Sequence, residues 1–178
     1  MTSLPAASLR ETLRCLHREK DAAYRDAWKK RGKVVSIFAN IARKVDRLEY
    51  VLDGAPAGHD EAAFDTAVDL LVYCIKYQTY LADVDSGVAA TLFRESRLDP
   101  PFSQGYAGFE HLLSRVDLPA FDIGDQTVAD AIARVLKRFN ELEVCFIGVN
   151  AVRPPAVRLL HLQSLTDAAA CLLVALHR

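Results

Sequence analysis

Carboxylates dominate the chemistry this sequence offers. Asp46 and Glu49 stand three residues apart in Arg43-Lys44-Val45-Asp46-Arg47-Leu48-Glu49, and Glu61, Asp65 and Asp69 recur every four residues further on. In a helix, spacings of three and four put side chains on one face. Two antiparallel helices joined by a short loop could bring these acids together and set four or five carboxylate oxygens at one junction. Mg²⁺ takes hard, anionic oxygens of this kind and shares its sphere with water and phosphate. Mg²⁺ or Mn²⁺ held there would bridge phosphates and stabilise an attacking oxygen in phosphoanhydride cleavage. The plainer expectation is a solvated helix face. Asp46 with Arg43 and Arg47 would then form surface ion pairs worth about 0.3 kcal/mol each. Glu61, Asp65, Asp69 and Lys76 would oppose the apolar face of Phe64, Leu71 and Ile75. Tyr73 and Tyr80 beside the acids, and Val68, Leu70, Leu71 and Val72 around Asp69, speak for a functional site.

The elements that must position these residues are helices. Ser8 and Glu11 read as a capping box, opening a long first helix with Leu9, Leu13, Leu16, Ala23, Ala27 and Trp28 that stops near Gly32. A second helix is expected from Val34 to Leu52, with Ile37, Phe38, Ile41, Val45 and Leu48 on one side. Asp60 caps a third, running to about Ala82. Pro100, Pro101, Gly105, Gly108 and Pro119 break the stretch from Asp83 to Gly124, leaving room for one short helix at Phe109 to Val116. Asp125 caps a fifth helix ending near Gly148, and Pro154-Pro155 opens a last one. That final helix is apolar almost all round from Ala168 to Leu176, which predicts a central place. No segment alternates with period two between hairpin turns. The fold class expected is all-α, a bundle of five or six helices in one domain over residues 1–178.

Three motifs resemble a known family. They are Lys20-Asp21-Ala22-Ala23-Tyr24-Arg25-Asp26-Ala27-Trp28, then Ile41 to Glu49, then Asp65-Thr66-Ala67-Val68-Asp69-Leu70-Leu71-Val72-Tyr73. In order and spacing they are similar to the nucleotide modification associated domain 1 family, itself similar to MazG-like all-α nucleoside triphosphate pyrophosphohydrolases. The likeness covers about Lys20 to Leu81. It implies a MazG-like bundle in which Glu49, Asp65 and Asp69, with Asp46 behind them, hold Mg²⁺. It also implies that Lys44 and Arg47 meet phosphate. MazG-like enzymes usually carry Glu-x-x-Glu followed by Glu-x-x-Asp, whereas this chain has Asp-x-x-Glu and Asp-x-x-x-Asp.

On this footing the expected function is Mg²⁺-dependent hydrolysis of a nucleoside triphosphate to monophosphate and pyrophosphate. Glu49 and Asp69 are the candidate catalytic acids, one of them activating water. Lys44, Arg47 and Lys76 would neutralise phosphate charge. Trp28 and Tyr73 are candidates to stack on a base, although Trp28 serves equally well as a core anchor. The alternatives are a nucleotide-binding module without catalysis and a structural helical interaction module. Lys29, Lys30, Arg31 and Lys33 complement a helix C-terminus without invoking any ligand.

The sequence also hints at duplication. Arg43 to Val51 can be laid on Lys137 to Cys145, and Asp65 to Val72 on Asp167 to Val174. Glu49 then meets Glu143 and Asp65 meets Asp167, while Asp46 becomes Asn140 and Asp69 becomes Cys171. Degenerate halves at 1–83 and 105–178 would form a pseudo-dimer in which only the first keeps the acids. Amphipathic helices rich in Leu and Ala also match one another by chance.

Composition bounds the rest. The chain has 178 residues, 51% hydrophobic and 25% charged, with a formal net charge of -1 and mean hydropathy +0.07. This excludes a disordered chain and a broad basic surface for nucleic acid. No apolar run was expected to reach the eighteen or so residues of a membrane span, and Met1 to Arg10 lacks the pattern of a secretory signal. Cys15, Cys74, Cys145 and Cys171 form no CxxC pair, and the five histidines no HExxH, so free buried thiols in a reducing cytoplasm are expected. The expected partners are a nucleotide and, compatibly, a second copy of the chain in a homodimer; no membrane is expected.

Overall fold

The computed structural model describes residues 6–24, 27–30, 34–53, 60–116, 118, 126–147 and 152–177. Among them there is no strand, and the helices are α1 (Ala6–Tyr24), α2 (Ala27–Lys30), α3 (Val34–Leu52), α4 (Asp60–Val84), α5 (Ser86–Phe93), α6 (Ala107–Arg115), α7 (Val128–Glu143) and α8 (Pro155–Leu176). The all-α class holds. The count of five or six does not, because eight helices are described. The long first helix is described as α1 and the short α2. An unexpected α5 follows α4 directly. It starts where Asp85 leaves the helical region and its carboxylate accepts from the Val88 N–H, closing an orphan donor of the new helix.

Four long helices make the core. α3 packs on α4, α4 on α8, α8 on α7, and α7 back on α3, closing a ring. Every neighbour in this ring runs antiparallel. Phe38 near the start of α3 stacks on Phe139 and Phe146 at the end of α7. Phe64 at the start of α4 meets His177 just past α8, while Gln78 near its end donates to Thr166. The apolar stripe of α3 (Ile37, Ile41, Val45, Leu48) is buried as its spacing predicts. Each such side chain contributes roughly 1.5–3 kcal/mol on leaving water. α7 starts at a capping box in which Thr127 and Asp130 satisfy each other's backbone donors. The expected cap, Asp125, lies outside the described residues. So does the Ser8 side chain, and α1 begins two residues before Ser8.

α8 takes the central place that its composition predicts, with Leu162, Leu165, Ala169, Leu172 and Leu173 buried. By length and composition alone it could cross a membrane, which corrects the expectation that no segment would. In the bundle it lies against α4 and α7, and 61% of its most apolar window is buried.

The segments that the sequence alignment pairs bury matching positions. Ile37, Ile41, Val45 and Leu48 correspond to Ala131, Val135, Phe139 and Leu142, all buried. Ala63, Ala67, Leu70 and Leu71 correspond to the buried Leu165, Ala169, Leu172 and Leu173, while Asp65 and its counterpart Asp167 are both exposed.

The outer elements brace one side of this ring. His17 of α1 stacks face to face on Phe109 of α6, with centroids 3.7 Å apart, and Arg10 donates to the Val116 carbonyl at 2.7 Å. Asp83, near the end of α4, accepts from the Phe102 and Ser103 N–H groups of the loop between α5 and α6. Gly108 opens α6 against that loop. A Cβ there would lie 2.1 Å from the Phe102 carbonyl oxygen, so only glycine fits.

Candidate functional site

The antiparallel pairing of α3 and α4 sets residues 46–51 opposite 65–69, and residues 36–43 opposite 72–76. Two grooves result, and Asp69 lines both. The first, about 530 Å³, carries Asp46, Arg47 and Tyr50 from α3 with Asp65 and Thr66 from α4. The second, about 510 Å³, carries Trp28 from α2, Asn40 and Arg43 from α3, and Tyr73 and Lys76 from α4.

Charge in the site is largely paired internally. Lys44 reaches from α3 to α4 and places Nζ 2.6 Å from Asp69 Oδ2, with side chains only 15% and 19% exposed. Lys76, expected on a solvated face or against phosphate, is buried instead. Its Nζ lies 3.6 Å from Asp21 Oδ1 and 5.3 Å from the centroid of the Trp28 ring. The acidic stripe of α4 therefore turns inward along its length: Asp65 is exposed, Asp69 mostly buried and Lys76 buried. Lys29 also faces the Trp28 ring, at 5.5 Å, and donates to Ser103. Trp28 is thus both a core residue and a cation platform, with part of its surface left to the second groove. Behind Lys76 sits His17. Burial first, then the charges of Lys76 and Arg18, lower its pKa to about 3, so it stays neutral.

Of the expected residues, the structure gathers Asp46, Asp65, Asp69 and Arg47 in one groove and Trp28, Tyr73, Lys76 and Asp69 in the other. It does not bring Glu49 to them. Glu49 is exposed and lines neither groove, because residues 46, 47, 50 and 51 form the groove wall and position 49 lies on another side of the helix. Lys44 meets a carboxylate where phosphate contact was expected. Asn40, Arg43 and Asp21 were not anticipated as site residues. Asn40 and Arg43, which hydrogen-bond each other, were legible as one face with Arg47. Asp21 depends on how α1 docks.

Mg²⁺ or Mn²⁺ does not fit this arrangement. Among the described residues no three His, Cys, Asp or Glu side chains gather as a metal would require, and Asp69 already holds an ammonium. Glu61, the remaining acid of the stripe, has a side chain outside the described set. Three of the four cysteines are buried as expected, whereas Cys15 is exposed.

What the two grooves offer is aromatic surface, exposed guanidinium groups at Arg43 and Arg47 beside exposed carboxylates at Asp46 and Asp65, and hydrogen-bonding side chains at Asn40 and Thr66. That set suits a flat small molecule that carries an anionic group the two arginines can reach. No protein-family model, no curated protein and no solved structure matches this chain.

Proposed function

We propose that this chain is a nucleotide-binding helical domain whose ligand lies across the two grooves that meet at Asp69. The observation that supports it most is their adjacency. An aromatic groove with Trp28 and Tyr73 runs into a polar one with Arg47, and Arg43 belongs to the aromatic groove. A base set against Tyr73 and Trp28 gains stacking and apolar contact. Arg43 and Arg47 offer forked donors to phosphate oxygens. Asn40, whose Oδ1 accepts from Arg43, has amide N–H donors that a base or sugar could use. The test is calorimetric titration with the common ribo- and deoxyribonucleoside triphosphates. Saturable binding is expected, weakened about tenfold or more in Arg43→Gln and Arg47→Gln. Absence of saturable binding to any of them would sink the reading.

A second reading has one observation in its favour, the lining of a single groove by Asp46, Asp65 and Asp69. It is the metal-dependent pyrophosphohydrolysis that the motif resemblance implies, and it requires Lys44 to release Asp69 and the three acids to close together before a metal could enter. Release of pyrophosphate from a nucleoside triphosphate, dependent on added Mg²⁺ and lost in Asp65→Asn, separates it from binding alone.

A further inference from the structure

We infer that Lys44 is a built-in cation that takes the place of a divalent metal at Asp69. The ammonium is 2.6 Å from Asp69 Oδ2, as close as an ion pair comes, and both side chains are more than four-fifths buried. Water screens such a pair poorly, so it persists where an exposed one would exchange. A dication approaching Asp69 must expel the ammonium or accept a like charge beside it. The other acids do not compensate. Asp46 and Asp65 line the same groove but are exposed, and among the described residues no three acids close around one point. Mg²⁺ needs several oxygens in near-octahedral array; one carboxylate shared with a lysine falls short of that.

The second hairpin also sets a cation near the matching position, though from one turn earlier, since the residue aligned with Lys44 is Arg138, which pairs with Glu141. Its counterpart of Asp69 is Cys171, and there a cation from the first helix of that hairpin, Arg134, places Nη1 3.5 Å from the thiol sulfur. In both hairpins a basic side chain reaches across to this position of the following helix. At Asp69 it neutralises a carboxylate. Lysine keeps further N–H donors beyond the one that Asp69 engages, so the neutralised site still attracts an anion.

This inference does not depend on the nucleotide reading, and its test needs no nucleotide. Mn²⁺ is titrated into the intact wild-type chain and into Lys44→Met, which keeps the aliphatic stem, with bound metal read by calorimetry and by loss of the free-ion paramagnetic resonance signal. Wild type should show no saturable site below about 1 mM, and Lys44→Met should gain affinity by about tenfold or more, lost again on adding Asp69→Asn. A tight wild-type Mn²⁺ site abolished by Asp69→Asn would overturn the inference. So would the lack of any gain in Lys44→Met, or in Lys44→Gln should the first variant unfold, when circular dichroism shows a native helix signal.

Discussion

The Arg158 guanidinium, 4% exposed at the start of α8, donates to the Tyr77 hydroxyl at 2.6 Å and to the Arg153 carbonyl at 2.8 Å. Its plane also lies near the Tyr77 and Phe146 rings. Burial pushes the Tyr77 hydroxyl up to about 12 although Arg158 pulls the other way, so the phenol is neutral and acts as an acceptor. Tyr77→Phe deprives a buried cation of that acceptor and should cost about 1–3 kcal/mol. Adding Arg158→Met should recover part of the loss, because a buried polar pair removed whole costs less than one broken in half. Urea unfolding of the two single variants and the double variant gives the coupling directly.

Asp69→Asn should lower stability by about 2 kcal/mol, between the values for exposed and fully buried ion pairs. The cause is a Lys44 more than four-fifths buried and left without its counterion. Relief of repulsion from Asp65, one turn away, acts in the other direction, and the Lys44 contact outweighs it. Thermal unfolding of Asp69→Asn and of Lys44→Met with Asp69→Asn decides the sign.

His17 makes stability depend on acid. Its folded pKa, lowered to about 3, lies below the ordinary value of about 6.5. Between those limits the unfolded chain binds a proton that the folded one refuses, so stability falls as pH falls. The slope approaches about 1.4 kcal/mol per pH unit from this group. Below about pH 3 both states are protonated and the slope ends. His17→Phe should keep the stacking on Phe109, remove the buried Nδ1 that has no partner, and flatten the difference between pH 6 and pH 4. Denaturant midpoints at several pH values for both proteins measure it.

Gly108→Ala should destabilise by about 3 kcal/mol or more, because its methyl would meet the Phe102 carbonyl at 2.1 Å and must force the start of α6 off the loop. Gly105→Ala is strained by its backbone angle (φ +64°) and meets nothing in space, so a loss of about 1 kcal/mol is expected. The contrast separates steric from conformational cost in one loop.

Legibility followed periodicity. The stripes Ile37-Ile41-Val45-Leu48 and Ala131-Val135-Phe139-Leu142 announce α3 and α7, and the all-round apolar run after Ala168 announces the central α8. α5 is not legible in the sequence because Ser86 to Phe93 is short, contains Gly87 and is set off from α4 by Asp85 alone. The candidate site was legible by residue type and not by partner. Asp46, Asp65 and Asp69 do share a groove, yet the Lys44–Asp69 and Lys76–Asp21 pairs depend on the axial offset and rotation of packed helices. Those are fixed by core side chains distant in sequence. Glu49 shows the opposite error: three residues from Asp46 keeps it near that face, but the groove selects residues 46, 47, 50 and 51.

The order in which the bundle's members are made carries a last consequence. α4 is complete about 70 residues before α8 begins, and at about 5–20 residues per second on the ribosome that is roughly 4 to 14 s. Throughout that interval Leu70, Leu71, Cys74 and Ile75 have no α8 to cover them. The nascent chain therefore spends seconds as an incomplete bundle with an adhesive flank, and its yield in a cell should depend on holdase chaperones and on translation speed between Asp85 and Pro154.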